Sequence, residues 1–409
     1  MSTTHRVVIT GLGLSSPIGD SLEEVSRSLR EGRSGVVRME GWDQLEGFAT
    51  RLGAVCKTDL SILPKKRTRT MGRVALLATW ATTRAVEDAG LSQEILSNSR
   101  TGLAYGSTSG SMPAVEDYLR KLSLERTVNG IQSATYLKLM SHTAPANLAA
   151  YFQIRGRVLT TCSACVSSSQ AIVYGYEAIK YGLQEAMVCG GAEEMHITNA
   201  SVFDIMFATS RGYNDTPELT PRPFDEKRDG LVVGEGAGTL ILESLEHAQQ
   251  RGAKIYAEVL GAATNCDGWH MTAPSDEGMT RVLQESLRDA QLSPDKVDYV
   301  NAHATATGIG DVCESTAVSR VLGTRVPISS TKGFTGHTLG ACGAIEAGFC
   351  LAMFKDGFLA PNKNLDQPDP QCPALDYVMG APRQASPQII MTNNFAFAGI
   401  NTSIILRRL

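Results

Sequence analysis

A chain of 409 residues is long enough for two or more domain-sized units with large cores, and 43% hydrophobic with 20% charged residues is an ordinary globular balance. A net charge of −4 argues against a nucleic-acid footprint over the whole surface, so no nucleic-acid partner is expected. No uninterrupted apolar run of about 18 residues occurs, so no membrane span is expected.

Met1 to Arg6 leads directly into a strand, without a signal-peptide pattern. Nine cysteines, an odd set scattered from Cys56 to Cys372, suggest reduced thiols rather than a disulfide framework. Together these predict a cytoplasmic protein. Arg6 to Gly13 reads as a buried strand ending in a glycine turn, and Ser21 to Arg30 as a short helix. Pro64-Lys65-Lys66-Arg67-Thr68-Arg69 is the densest basic patch: solvated surface, or a dock for an acidic partner. Val74 to Gly90 is a strong helix pattern, with Ala75, Ala78, Ala81, Ala85 and Ala89 forming a small-residue stripe for close packing. Thr101 to Gly106 reads as a strand, and the stretch to about Gly156 as helical and loop-like.

Val158 to Thr161 is a β-prone run that stops at small residues. A helical pattern then starts with Cys165 at its head, carries Ile172, Tyr176 and Ile179 on one face, and ends near Gly182. A cysteine at a helix N-terminus is well placed as a nucleophile, because unpaired N–H groups and the helix dipole stabilise its thiolate. Buried thiols are otherwise inert packing, so partners elsewhere must decide. Glu185 to Cys189 reads as a strand ending at Gly190-Gly191, which makes a parallel crossover unit around Cys165. Cys162 with Cys165 forms a C-x-x-C, but no second pair at zinc spacing exists and the short βαβ context of thioredoxin is missing. No metal is expected, and Cys162 reads as packing. Residues 195–228 read as loop-rich. The apolar run Leu231 to Leu242 contains Gly234-Glu235-Gly236-Ala237-Gly238, which lacks G-x-G-x-x-G and leads into a strand. Its glycines read as sites of close backbone packing.

A second strand set begins at Lys254 to Val259, and from there the chain echoes itself faintly. Arg84 to Ser92 is echoed by Ser286 to Ser293, each closing a helix before a strand, and Ala164-Cys165 with its helix is echoed by Ala341-Cys342 and the helix to Asp356. The reading is two similar α/β halves, residues 1–252 and 253–409, with a site at their seam. The second half supplies partners for the cysteine. Val297 to Val300 is a strand ending in Asn301-Ala302-His303-Ala304-Thr305-Ala306-Thr307, a histidine in the setting of an active-site loop. Ser329 to His337 follows another apolar strand and carries Lys332 and His337 ahead of a helix of small residues. Cys342, within Gly340-Ala341-Cys342-Gly343, is a decoy at a second helix start.

These residues resemble a β-ketoacyl-[acyl carrier protein] synthase of the elongating kind. The resemblance covers nearly the whole chain. It includes Val8 to Gly13, Ser163-Ala164-Cys165, Arg222-Pro223-Phe224-Asp225 to Gly230, Asn301-Ala302-His303, Thr331-Lys332 with Gly336-His337, and Asn394 to Gly399. It implies a thiolase-like fold, α/β, with two similar halves that each hold a mixed, mainly parallel sheet, layered αβαβα. The first half carries the nucleophilic cysteine and the second the two histidines and the lysine. It implies that Cys165 accepts an acyl chain as a thioester, with the backbone N–H groups of Cys165 and Phe397 as an oxyanion hole. His303 and His337 would hold the malonyl thioester oxygen while carbon dioxide leaves. Lys332 would orient His337, and Glu346 would tie to Lys332. Thr305 and Thr307 would bond the phosphopantetheine arm, while Phe395, Phe397 and Leu231 would shape the acyl pocket. Lys65, Lys66, Arg67 and Arg69 would dock an acidic acyl carrier protein, with Arg120, Lys121 and Arg126 as weaker candidates. No cofactor is implied. The expected assembly is a homodimer, or a heterodimer with a chain-length-factor-like subunit. Leu231, Ala304, Ala396 and Ala398 depart from the usual pattern, where Phe and three glycines stand. That opens the alternative of a specialised polyketide or polyene ketosynthase. A thiolase would carry a second cysteine late in the chain, and Asn393 to Asn401 holds none; a non-catalytic chain-length factor would lack the cysteine.

Overall fold

Two sets of five strands repeat one pattern along the chain. The first set is β1 (Val7–Ser15), β2 (Thr101–Gly106), β3 (Val158–Thr161), β4 (Ala186–Glu193) and β5 (Gly236–Ser244). The second is β6 (Ala257–Cys266), β7 (Tyr299–Asn301), β8 (Pro327–Ser329), β9 (Ile389–Phe395) and β10 (Ile400–Arg408). In the computed structural model, which describes residues 4–409, they pair in the order β3-β2-β4-β5-β1-β6-β10-β9-β7-β8. Numbered within each set, both read 3-2-4-5-1 toward the junction of the two sets, and a short strand, Asp376–Tyr377, pairs parallel beyond β8. In each set the second strand is parallel to the third and fourth, and the fifth is antiparallel to the fourth and the first. Four of five strands in each set therefore point one way. The sets meet at β1 and β6, which pair antiparallel over Val7↔Val259, Val8↔Glu258 and Ile9↔Ala257. Met1 to Thr3, which the sequence reading places ahead of the first strand, lie outside the described residues.

Seven helices matter for the layers: α1 (Leu22–Glu31), α2 (Arg73–Ala89), α3 (Ser167–Lys180), α4 (Ile197–Ile205), α5 (Asp276–Asp289), α6 (Gly308–Leu322) and α7 (Cys342–Asp356). Helices α3 and α7 form the central layer, sharing one core cluster with residues of both strand sets. Nearly every residue of α7 is buried, as expected of a helix that is apolar all round. Outside the first set, α2 packs with β2 and β4; outside the second, α5 and α6 pack with β7 and β9. Among the described residues no helix is long and apolar enough to cross a membrane.

The small-residue stripe on α2 lies against β1. A Cβ added to Gly13 would come within 1.9 Å of the Ala81 carbonyl oxygen, so no larger residue fits without separating helix and strand. Gly238 plays the same part on the other face, where its absent Cβ would press on Ala344 and Ile345 of α7. Three strands run differently from the sequence reading. β1 continues through its glycines to Ser15, by way of a register shift between Ile9 and Gly11. β4 continues through Gly190-Gly191 to Glu193, because its glycines sit under the Gly238 and Gly340 backbones. β6 starts at Ala257 rather than Lys254.

Candidate active site

Cys165 sits in a tight turn, Ala164–Val166, that leads into α3 at Ser167. It is therefore just ahead of the helix rather than in its first turn. Ala164 holds φ +48°, a left-handed conformation that a residue with a Cβ takes only under constraint. His303 follows β7, and His337 follows the short helix Lys332–Thr335 after β8. Both imidazoles and the thiol are buried. His337 Nε2 lies 2.9 Å from Cys165 Sγ. The two imidazole rings meet edge to face at 5.1 Å, and the donor atoms of Cys165, His303 and His337 all lie within 4.8 Å of one another.

A buried polar chain stands behind this triad. Lys332 Nζ pairs with Glu346 Oε1, and Asn394 Nδ2 donates to Glu346 Oε2 at 2.7 Å and approaches His303 Nδ1 at 3.3 Å. A carboxylate requires a donor, so the Asn394 amide must turn its NH₂ toward Glu346. The same NH₂ then faces His303 Nδ1, which must accept, leaving the ring hydrogen on Nε2. Lys332 donates to Glu346 rather than to His337. Its influence on the histidines is charge: burial first and the Lys332 cation second hold both imidazoles well below the ordinary histidine range. Both are neutral at physiological pH.

The thiol departs from the sequence expectation. Burial pushes Cys165 up to about 12, although Lys332 pulls it down. Desolvation outweighs any help from the helix terminus, so the resting sulfur carries its proton and needs an acceptor when it reacts. Cys342 is fully buried and donates to the Cys165 carbonyl at 3.2 Å, so it holds the Cys165 turn in place. Cys162 is exposed, not packed, with its thiol on the Thr108 carbonyl at 3.2 Å.

The triad opens into a cavity of about 490 Å³ at the junction of the two strand sets. Leu231, Phe395, Phe397, Thr305 and Thr307 all line it. The two threonine hydroxyls lie 3.1 Å apart. The N–H groups of Cys165 and Phe397 stand in tight turns whose internal bonds come from other residues, Val166 to Ser163 and Gly399 to Ala396. Ala398 holds φ +65°, where a glycine would be unstrained, whereas Ala396 is plainly extended. The Phe397 loop is stapled to the segment after β6: Ala398 N–H donates to the Met271 carbonyl at 2.7 Å, and Asp267 N–H to the Gly399 carbonyl at 2.8 Å.

Two contributors were missed from sequence. One is α4, within the stretch read as loop-rich; it supplies Phe203, which packs against Phe397 with ring centroids 5.5 Å apart. Its composition, with Thr, Asn, Ser, Val and Asp, favours helix poorly, but His196 caps it on Thr198 N–H and Phe203 anchors it. The other is a carboxylate pair on α6. Glu314 accepts from the N–H groups of His303 and Ala304 at 2.8 and 2.6 Å, and Asp311 from those of Phe224 and Ala306 at 2.8 and 3.1 Å. Burial pushes Glu314 up to about 8 and Asp311 up to about 6. Carboxylates that face loop N–H groups leave no mark in a linear sequence beyond acidic residues on a half-buried helix.

Of the basic residues, Lys65, Lys66, Arg67 and Arg69 are exposed on and beside the short helix Lys65–Thr68. Arg67 also donates to the Tyr151 carbonyl and stacks 3.8 Å above that ring. Arg120 and Lys121 pair with Asp117 and Glu125 of their own neighbourhood, which spends their charge locally.

Residues 4–248 match the beta-ketoacyl synthase N-terminal domain model, and residues 256–366 the beta-ketoacyl synthase C-terminal domain model. The chain is 38% identical over 405 residues to 3-oxoacyl-[acyl-carrier-protein] synthase 1 of Haemophilus influenzae, covering 99% of each. The crystal structure of a beta-ketoacyl synthase from Burkholderia phymatum superposes with a TM-score of 0.96 at 47% identity, over 99% of this chain and 100% of that one. The ishigamide ketosynthase/chain length factor superposes with a TM-score of 0.92 at 31% identity, over 99% and 100%. A duplicated 3-2-4-5-1 sheet, a buried Cys-His-His cluster at its seam, and these matches together place the chain in the beta-ketoacyl synthase family, as a condensing enzyme of the thiolase-like fold that carries out Claisen condensation on carrier-bound acyl units.

Proposed function

We propose that this enzyme elongates an acyl chain held on Cys165 with a malonyl unit delivered by an acyl carrier protein, and that His303, His337 and Lys332 complete the catalytic set. The observation that carries this is the 2.9 Å contact between Cys165 and His337 beside His303, inside one largely apolar cavity. In loading, the Cys165 sulfur attacks the carrier thioester, and the carrier thiol leaves with the proton that sulfur gave up. The tetrahedral oxyanion would rest on the N–H groups of Cys165 and Phe397, each worth roughly 3 kcal/mol in such a setting. In condensation, the malonyl carboxylate leaves as carbon dioxide, and the thioester oxygen becomes an enolate. The His303 Nε2–H, fixed by Asn394, suits that oxygen, as does a neutral His337. The enolate carbon then attacks the acyl carbonyl, the bond to Cys165 breaks, and the released sulfur takes up one proton.

Thr305 and Thr307, which line the cavity, would bond the amide groups of the phosphopantetheine arm. Leu231, Phe395 and Phe397 would bound the acyl chain, with Phe203 behind them. Lys65, Lys66, Arg67 and Arg69 would receive the acidic carrier, with Arg67 the least free to move. The functional unit would be a cytoplasmic dimer. The strained Ala398 and the likeness to a ketosynthase/chain length factor favour a second reading, a specialised polyketide or polyene ketosynthase paired with a cysteine-free subunit.

Cys165→Ala is expected to abolish condensation while malonyl decarboxylation persists, and His303→Ala to cripple decarboxylation while acyl loading persists. Full elongation by the first variant, or a loading defect alone in the second, would overturn the roles. Lys66→Glu is expected to raise KM for the carrier about tenfold at low salt and to flatten the salt dependence. Unchanged kinetics would remove the basic patch from the docking surface.

A further inference from the structure

The last residue of β4, Glu193, lies behind the nucleophile and has no part in the steps above. It is 1% exposed. Its Oε2 accepts from the Thr108 N–H at 3.0 Å, the Thr108 hydroxyl at 2.7 Å and the Gly340 N–H at 3.1 Å. Its Oε1 is buried and, among the described residues, has no hydrogen-bond partner. The two anchor points lead to the two sides of the triad. The Thr108 carbonyl receives the thiol of Cys162, in the loop that delivers Cys165, and the neighbouring Ser107 carbonyl accepts from Ser167 at the start of α3. Gly340 belongs to the turn Leu339–Ala341 that follows His337, and this turn packs on the Ala164–Val166 turn. A Cβ on Gly340 would stand 3.0 Å from Glu193 Oε2 and 2.8 Å from Thr108 N. The bridge therefore depends on a glycine there.

A bridge alone would not need a charge, because an amide oxygen accepts the same N–H groups. Sealing in a carboxylate with one oxygen unpaired costs free energy, and such a group calls for an explanation beyond packing. Burial pushes Glu193 up to about 7, with Glu194 on the same strand end adding to the rise, so its charge changes near neutral pH. After burial itself, the Glu193 charge is among the influences that raise both Cys165 and Cys162. On the other side of Cys165, Lys332 lowers the thiol and Glu346 raises it, while His337 and Cys342 touch the residue directly.

We propose that Glu193 is a positioning residue for condensation, clamping the nucleophile turn to the His337 segment and setting the reactivity of the Cys165 thiol through its own charge. This rests on the assignment of Cys165 as the acyl acceptor. Ionised, Glu193 holds the proton on sulfur; protonated, it lifts that restraint.

The test is the rate at which iodoacetamide alkylates Cys165, followed by peptide mass spectrometry from about pH 6 to about pH 9. Glu193→Gln keeps an acceptor for Thr108 and Gly340 and removes the charge. In the unaltered enzyme the rise in rate with pH should flatten as Glu193 ionises. In Glu193→Gln it should climb without that inflection, with rates at the alkaline end roughly 3- to 10-fold higher. Thr108→Val keeps the carboxylate but removes the hydroxyl donor, so the inflection should move to higher pH, and Thr108→Ser should restore it. Superimposable profiles for the unaltered enzyme, Glu193→Gln and Thr108→Val, with the label on Cys165, would overturn the proposal alone. Alkylation confined to other cysteines, with Cys165 untouched across the whole pH range, would overturn the nucleophile assignment and this proposal with it.

Discussion

Asn394 and Lys332 act on the histidines in different ways, and pH separates them. Asn394 fixes the His303 tautomer by contact, whereas Lys332 is bonded to Glu346 and works through its charge. Both imidazoles have pKa values depressed well below 6.5, so the neutral, donor-competent form persists as pH falls through the ordinary histidine range and is lost only well below it. Malonyl decarboxylation by the Cys165→Ala enzyme should thus stay nearly flat from pH 8 to about pH 6. In a Lys332→Ala background the cation is gone and the Glu346 carboxylate has lost its counter-charge, and both changes favour the imidazolium. The acid limb of the profile should then move up by about one pH unit or more, alongside a lower rate. An unmoved limb would show that Lys332 does not govern the imidazoles. At this scale the sequence was most legible in placement: Cys165, His303 and Lys332 come just after strands, His337 one short helix later, and each lines or backs the one cluster. The thiol's high pKa was not legible, because a helix terminus can be read from a pattern while the depth of burial cannot.

The elements position the site through missing side chains. β1 and α2 approach each other only because Gly13 and Gly11 face Ala81, Ala85 and Ala89. Gly13→Ala places a methyl 1.9 Å from the Ala81 carbonyl oxygen, a backbone atom that can yield only if the helix moves. It should destabilise the fold by about 3 kcal/mol, read as a lowered denaturation midpoint with an unchanged slope. A loss under about 0.5 kcal/mol would mean that the helix rides freely over the strand. The alanine stripe on α2 was legible by its spacing. α4 was not, because its residues prefer other conformations and it is held by its cap and by Phe203 against Phe397. Strand ends at Ser15 and Glu193 were misplaced for a related reason. Glycine ordinarily marks a turn, but here it marks close contact between layers, and only the neighbouring backbone tells the two apart.

At the scale of the molecule, the duplicated 3-2-4-5-1 sheet brings Cys165 from the first strand set against His303 and His337 from the second. The faint echo between Arg84–Ser92 and Ser286–Ser293 was readable because each segment closes a helix on the outer layer of its own set, α2 and α5. That the two sets join edge to edge through β1 and β6 was not readable, since three pairs of Cα partners carry it. Under the proposed mechanism neither half would suffice for catalysis: Cys165 and the two histidines arrive on separate strand sets. The central claim, that Cys165 alone carries the growing chain, is tested most directly by peptide mass spectrometry of the enzyme after incubation with an acyl-carrier thioester. The account predicts one acyl group, on the peptide bearing Cys165, that forms equally in His303→Ala and is discharged by malonyl carrier only when His303 and His337 are intact. An acyl group on Cys162 or Cys342, or discharge that proceeds without the histidines, would contradict it.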